Sequence, residues 1–521
     1  MYDLILRNGF IIDGSGAEGF HGDVGVRKGT IEHVGGPLGA KGEREIDVEG
    51  QIIAPGFIDV SNHSDTHLTL FTEPRLTGLT RQGITTVIGG NCGTSLAPLI
   101  SGEAIQAIRR WVPMNQINVN WLTTDEYHEE LKRRSLRVNY GTLVGYLTIR
   151  RGLLGDEFRP VTDEERDALL GMLQEAFEEG ALGVSFGLAY SHLYMADTTE
   201  LEAVARLAAD YDRILTVHMR NEGQGILDSV KEVVDIARQT GVRTEISHLK
   251  ILGEKNWDLF DQVIEVLNHA IYEEELPIAF DIFPYQANNG VLYLQLPYWV
   301  TKNGKEAMLQ RLRDPETADK VVAEMKRNSE DFSRMVISSA PHNERLIGKT
   351  IQEVANNQEV SLERAIINLL IATNSQITTL NYAIKPQQMV QFAAHEAAIV
   401  GTDGVGHDES MFTERTYIHP RSVGAMARFW SLDEVDLSAE EKIHRMTGRA
   451  AEHFRLADRG WVRKGYRADL VVFAGESFRS QATLDDPFHY AQGLSWVFVN
   501  GRAIIHDDEE QEGFFGELLT R

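Results

Sequence analysis

Five residues of this chain have side chains suited to metal or proton chemistry and share one kind of position: His63 after GFIDVSN, Cys92 after TTVIGGN, His218 in ILTVHMR, His248 in TEISHLK and Asp403 in IVGTDG. Each ends or follows a short apolar, β-rich run. A thiolate and two imidazoles, from Cys92, His218 and His248, make a three-ligand zinc set that leaves a fourth position for water, as a catalytic zinc requires. Zinc lowers the pKa of its water toward roughly 7 and polarises a carbonyl. A carboxylate such as Asp403 can take the water's proton and later deliver it to a departing nitrogen. The chemistry implied is amide hydrolysis. Singly, each residue has a plainer explanation: a small core thiol, a satisfied strand-end imidazole, an Asp before Gly in a turn. Their shared position is what carries weight.

Gathering such residues takes a fold that brings strand ends together. Eight apolar runs, APGFIDV, TTVIGG, YGTLVGYL, ALGVSFGL, ILTVHM, RTEISHL, IAFDIFPY and AAIVGTD, alternate with helical periodicity, the pattern of βα units around a parallel sheet. Eight units predict an α/β fold closed as a (β/α)8 TIM-like barrel, in which every strand's C-terminal end opens on one face. An open doubly wound sheet shares the alternation. One connecting helix is well marked: Thr162 with Glu165 forms a capping box, LLGMLQEAF supplies the apolar face, and Gly180 suits the C-terminal cap. The chain ends are β-rich, with turns at Lys28-Gly29 and Asn500-Gly501. The expected organisation is a small β-sandwich domain from 1–55 plus 460–521 and a barrel over 56–459. Residues from about 286 to 345 lose the rhythm and read as an insertion near the barrel mouth.

The formal charge of −26, with no Lys/Arg-rich tract, repels phosphate backbones and anionic lipid, so neither nucleic acid nor a membrane is an expected partner. No run approaches the roughly 18 apolar residues of a membrane span. The N-terminus lacks a basic leader and an apolar h-region, and Cys92 is the only cysteine, so no intramolecular disulfide forms; a cytoplasmic location is the expectation. The expected partner is a small-molecule substrate, and a homo-oligomer is compatible with the composition.

In this order, GFIDVSNHSD, GGNCGTSLAP, GALGVSFGLAY, TVHMRNEG, ISHLK, DIFPY, GTDG and IHPRSVGAMARF, then RGWVRKGYRADLVVF and WVFVNGRAI, resemble the motifs of the D-aminoacylase (N-acyl-D-amino-acid deacylase) family of the amidohydrolase superfamily. The likeness spans nearly the whole chain and is weakest in the insertion. It implies that Cys92, His218 and His248 hold one tightly bound Zn2+, that Asp403 is general base and acid, and that Tyr190 supports the oxyanion or acyl oxygen. It further implies that Lys250, Tyr285 and Arg421 meet the substrate carboxylate, with Asn289 as another substrate contact. One departure stands out. The family's first barrel strand ends in H-x-H, whereas this chain has Ser61-Asn62-His63. A hydroxyl replaces imidazole poorly on zinc, so a second metal site of His63 and a bridging Cys92 is expected to be weak or empty. His67 reads as a loop residue or a support behind the site. The resulting expectation is a zinc-dependent hydrolase removing an N-acyl group from a D-amino acid or a similar carboxylate-bearing amide. A cyclic-amide hydrolase or deaminase on the same barrel and a non-catalytic ligand-binding descendant are the alternatives.

Overall fold

The computed structural model describes residues 1–100, 117–155, 157–328, 331–341, 343–411 and 417–521. Ser329, Glu330 and His342, in the expected insertion, lie outside them. The eight apolar runs form eight strands: β1 (Phe57–Asp59), β2 (Ile84–Gly89), β3 (Asn139–Gly145), β4 (Gly183–Gly187), β5 (Ile214–His218), β6 (Thr244–Ile246), β7 (Ile278–Ile282) and β8 (Ala398–Val400). Every residue in them is buried, which explains why they read as continuous apolar runs rather than alternating ones. They pair in parallel in chain order from β1 to β7, and β8 adds beside β7.

Closure between β8 and β1 is made just beyond their ends. Asn62 and Gly404 form a parallel bridge, and His63 N donates to Gly404 O at 2.9 Å. The buried Asp59 carboxylate staples the seam, accepting from Thr402 N (2.8 Å), Thr402 Oγ1 (2.6 Å) and Asn62 Nδ2 (2.8 Å). The barrel is therefore closed by the two segments that carry His63 and Asp403. Helices pack outside the strands. That of Asp163–Glu178 begins at the expected Thr162–Glu165 capping box, buries Leu169, Leu173, Ala176 and Phe177, and is followed by Gly180 at φ 99°.

Both chain ends build one continuous sheet. In order across it run Glu509–Glu510, Arg502–His506, Leu494–Val499, Leu470–Phe473, Ile52–Pro55, Tyr2–Ile11, Phe20–Arg27 and Thr30–Gly35, with Gly42–Asp47 also pairing on Tyr2–Ile11. The sheet encloses a core of its own that includes Leu4, Leu6, Val26, Leu470, Val472, Trp496 and Phe498. Both expected hairpin turns form with left-handed residue pairs, Lys28-Gly29 (φ 50° and 74°) and Asn500-Gly501 (φ 49° and 78°). Near the end of the chain, Leu518–Leu519 pairs with β3.

The insertion continues past the expected limit of about 345. A three-stranded antiparallel sheet of Asn288–Val291, Thr378–Asn381 and Val336–Ser339 ties it together. Its helices pack around Leu309, Val321, Ile337, Ile366 and Leu370, a core separate from that of the barrel. The sequence hides this because the helices Ile351–Gln358 and Leu362–Ala372 start from ordinary Thr350 and Ser361 caps and look like barrel helices. Their place is decided by Thr378–Asn381, which among the described residues pairs within the insertion. Among the described residues, no helix is long and apolar enough to cross a membrane.

Candidate active site

The residues with chemistry stand where strands give way to loops, and three of them hold an unusual backbone. Cys92 (φ 52°), His248 (φ 42°) and Asp403 (φ 43°) are left-handed, a conformation costing a non-glycine residue roughly 1–3 kcal/mol unless its surroundings impose it. Buried polar groups of the barrel impose it here. Ser185 Oγ on β4 accepts from Gly93 N at 2.9 Å, beside Cys92. Asp281 Oδ2 on β7 accepts from His248 N at 2.9 Å. Thr402, clamped by Asp59, accepts through Oγ1 from Gly404 N at 3.0 Å, beside Asp403. Gly187 permits a further close approach, since a Cβ there would come within 2.3 Å of the Cys92 carbonyl oxygen.

The ligand-capable atoms of Cys92, His218 and His248 all lie within 4.8 Å of one another, and all three residues are buried. Cys92 Sγ is 3.3 Å from His248 Nε2, close to the edge of about 3.5 Å implied by zinc–ligand bonds of 2.0–2.3 Å in a tetrahedron. The His218 and His248 rings meet edge to face at 4.5 Å, and His218 Nδ1, though buried, has no hydrogen-bond partner. Burial, then the neighbouring His248, pushes the His218 imidazole down to about 3, so it stands neutral, as a metal ligand must. Burial pushes the Cys92 thiol up. A soft thiol and two imidazoles, one of them with a buried nitrogen lacking a partner, fit zinc.

His248 Nδ1 faces Glu222 Oε1 at 3.1 Å and Lys250 Nζ at 3.0 Å, and Lys250 donates to Glu222 Oε1 at 2.5 Å. Burial alone would raise the Glu222 carboxyl, but Lys250 and then His248 hold it well below the usual range. A carboxylate on the far nitrogen of a metal-binding histidine fixes its tautomer and orientation. Sequence reasoning did not single out Glu222, although it stands inside the TVHMRNEG stretch four residues after His218.

Asp403 lies at the other side of Cys92. Its Oδ1 is 3.1 Å from His63 Nε2 and its Oδ2 is 2.6 Å from Arg421 Nη1. Burial would raise its carboxyl; Arg421, with His248 and His63, brings it well below the usual value, so it is ionised. His63, Cys92 and Asp403 form a second group with ligand atoms within 4.8 Å. Ser61 adds nothing to it: its hydroxyl is buried and without a hydrogen-bond partner.

These groups line one cavity of about 1220 Å³ that reaches from the barrel to the insertion. Tyr190, whose ring is 5.2 Å from that of His218, Lys250, Asn289 and Arg421 stand on its wall. Lys250 is already paired with Glu222. Arg421 keeps Nε and Nη1 free of well-aligned hydrogen bonds and stacks 4.5 Å over Phe283. Asn289 Oδ1 accepts from Ser338 Oγ at 3.0 Å. Tyr285 stands behind that wall. It is 2 % exposed, does not line this cavity, and its hydroxyl reaches Pro420 O (3.4 Å) and Ser480 Oγ (3.5 Å). Its hydroxyl stands beside the start of the helix Arg421–Trp430.

Residues 44–342 match the amidohydrolase family. The chain is 31% identical to an N-acyl-D-glutamate deacylase of Alcaligenes xylosoxydans xylosoxydans, over 96% of this chain and 93% of that protein. The crystal structure of an N-acyl-D-glutamate deacylase from Bordetella bronchiseptica, complexed with zinc and a phosphonate mimic of the tetrahedral intermediate, superposes with a TM-score of 0.83 at 29% identity, covering 100% of both chains. A D-aminoacylase with a binuclear metal centre, described by one-metal activation and second-metal attenuation, gives 0.84 at 28% identity, again over 100% of both chains.

Proposed function

We propose, for a chain that belongs to the D-aminoacylase branch of the amidohydrolase family and is a metal-dependent hydrolase of amide bonds, that it removes the acyl group from N-acyl-D-amino acids or closely related carboxylate-bearing amides. The observation that carries this reading is the meeting of Cys92, His218 and His248 with the ionised Asp403 and the under-bonded Arg421 on one cavity wall. Cys92, His218 and His248 would hold a single zinc, which when bound activates water and polarises the amide carbonyl. His63 contributes to a weaker second site at most, because the Arg421 guanidinium 2.6 Å from Asp403 opposes another cation there and Ser61 offers only a hydroxyl.

Asp403 would be the proton carrier: its carboxylate is ionised and lies within 4.8 Å of the Cys92 thiol. Tyr190 sits above His218, where its hydroxyl can donate to an oxygen that gains charge during attack. Arg421 would meet the substrate carboxylate from the cavity wall while its Nη1 stays paired with Asp403, with Lys250 and Asn289 completing that wall. A free carboxylate beside the scissile amide favours an acyclic acylamino acid over a hydantoin, whose ring has none.

The test is metal analysis of protein purified without chelator, together with amine release from a panel of N-acetyl-D-amino acids, their L-enantiomers and hydantoins. One zinc per chain, lost in Cys92→Ala, with turnover confined to the acyclic D-compounds is the expected result. Turnover of hydantoins alone would overturn the substrate assignment, and ligand binding without turnover by the zinc-loaded protein would favour a binding protein.

A further inference from the structure

Two of the carboxylates on the cavity wall face a cation: Asp403 faces Arg421 and Glu222 faces Lys250. Glu73 does not. It caps the short helix Thr69–Thr72, its side chain is 9 % exposed, and its Oε2 accepts one hydrogen bond, from Asp408 N at 2.7 Å. Among the described residues the only basic nitrogen near it is His407 Nδ1, at 3.9 Å, beyond hydrogen-bond reach. His407 Nδ1 is itself buried without a hydrogen-bond partner, and burial pushes this imidazole down to about 4, so it brings no charge. Burial also pushes the Glu73 carboxyl up to about 7. Both residues line the main cavity.

Their place in the chain sets this corner beside the reacting centre. Glu73 follows the turn that begins at His63, where His67 N donates to His63 O at 2.9 Å, and His407 follows Asp403 in the same loop. The group does not qualify as a metal site, since its donors do not gather as those around Cys92 do. A carboxylate withdrawn from water with no counter-charge is costly, and on a cavity wall, unlike in a core, a ligand can supply the missing charge. The chain's formal charge of −26 adds a field that draws cations toward the cavity.

We propose that Glu73, with His407 beside it, forms a subsite for a cationic group of the substrate, an ammonium or guanidinium at the far end of either the amino-acid side chain or the acyl chain. The word substrate rests on the deacylase reading above; the subsite itself rests on a buried carboxylate on the cavity wall that faces no charged partner among the described residues. The cation donates to the carboxylate oxygen that Asp408 leaves free, while the neutral His407 ring, its Nδ1 3.9 Å from Glu73 Oε2, adds no competing charge.

Calorimetric binding to the zinc-loaded protein tests this with two ligand pairs. N-acetyl-D-lysine against N-acetyl-D-norleucine places the charge on the side chain; N-(6-aminohexanoyl)-D-alanine against N-heptanoyl-D-alanine places it on the acyl group. In one pair the charged member should bind at least tenfold more tightly. Glu73→Gln, which keeps an acceptor for Asp408 N, should bring that ratio to within twofold. A wild-type ratio at or below one in both pairs, or a ratio unchanged in Glu73→Gln, overturns the subsite. Should the variant not fold, a pH series on the wild type decides, because the preference must grow between pH 6 and 8 as the carboxyl ionises, and a flat series overturns it. Turnover measured in parallel separates the two readings: hydrolysis without charge preference removes only the subsite, and charge preference without hydrolysis removes only the deacylase.

Discussion

On the barrel side of the cavity, Cys92, His248 and Asp403 hold left-handed backbone, each braced by a buried polar side chain on a neighbouring strand or seam: Ser185, Asp281 and the Asp59–Thr402 pair. On the insertion side, Asn289, Tyr293 and Tyr298 come from a unit with its own core. That unit meets the barrel loops partly through aromatic and sulfur contacts. The Tyr298 ring stacks on Tyr194 at 3.8 Å between centroids, and its hydroxyl lies 2.8 Å from Met195 Sδ. The first wall is held by buried polar braces, and the second by a separate apolar core. Preorganised donors and acceptors serve the chemical step, whereas adaptable walls serve recognition of different substrates. Substitutions of the braced barrel residues should therefore reach kcat, and those of the groups that hold the substrate, Arg421 and the insertion wall, should reach KM.

The sharpest way to break this contrast is Asp403→Asn. It should lower kcat by about 10²–10⁴-fold with zinc content unchanged, measured by steady-state amine release and metal analysis of the same sample. Full turnover would remove Asp403 from proton transfer. Arg421→Lys comes next. A lysine keeps the charge and loses the planar fork, so KM should rise about tenfold while kcat changes by less, and an equal fall in kcat would mean that the guanidinium serves Asp403 more than the substrate. Tyr298→Ala should have the smallest effect. Losing the stack, worth about 0.5–1.5 kcal/mol, should raise KM roughly threefold and leave kcat alone. If it lowered kcat as far as Asp403→Asn does, the insertion would belong to the chemistry and the contrast would fail.

The same contrast explains what could be read from sequence. All eight barrel strands were legible because strands buried on both faces are continuous apolar runs, and five of them lead directly into His63, Cys92, His218, His248 and Asp403. The Thr162–Glu165 box was legible because capping is local chemistry. The extent of the insertion was not, since which sheet Thr378–Asn381 joins is decided by pairing at long range. The packing of Tyr285 was not legible either, since the direction of its side chain depends on Pro420 and Ser480 far along the chain. Glu73 carried no signal, because an acidic residue in FTEPR looks like any surface acid until its burial and lack of a cation are seen.

The joint between the chain ends has a consequence in time. The strand Ile52–Pro55 is flanked by Tyr2–Ile11 on one side and by Leu470–Phe473 on the other, about four hundred residues later. At synthesis rates of about 5–20 residues per second, the first strands wait roughly 20–80 s on the ribosome for that neighbour. Through that interval Ile52–Pro55 presents an open hydrogen-bonding edge, in a sheet whose core residues Trp496 and Phe498 do not yet exist. The nascent chain therefore passes through a long window in which strand addition by another chain competes with its own completion, and a chaperone that covers that edge would raise the yield of folded protein more than one acting on the barrel helices.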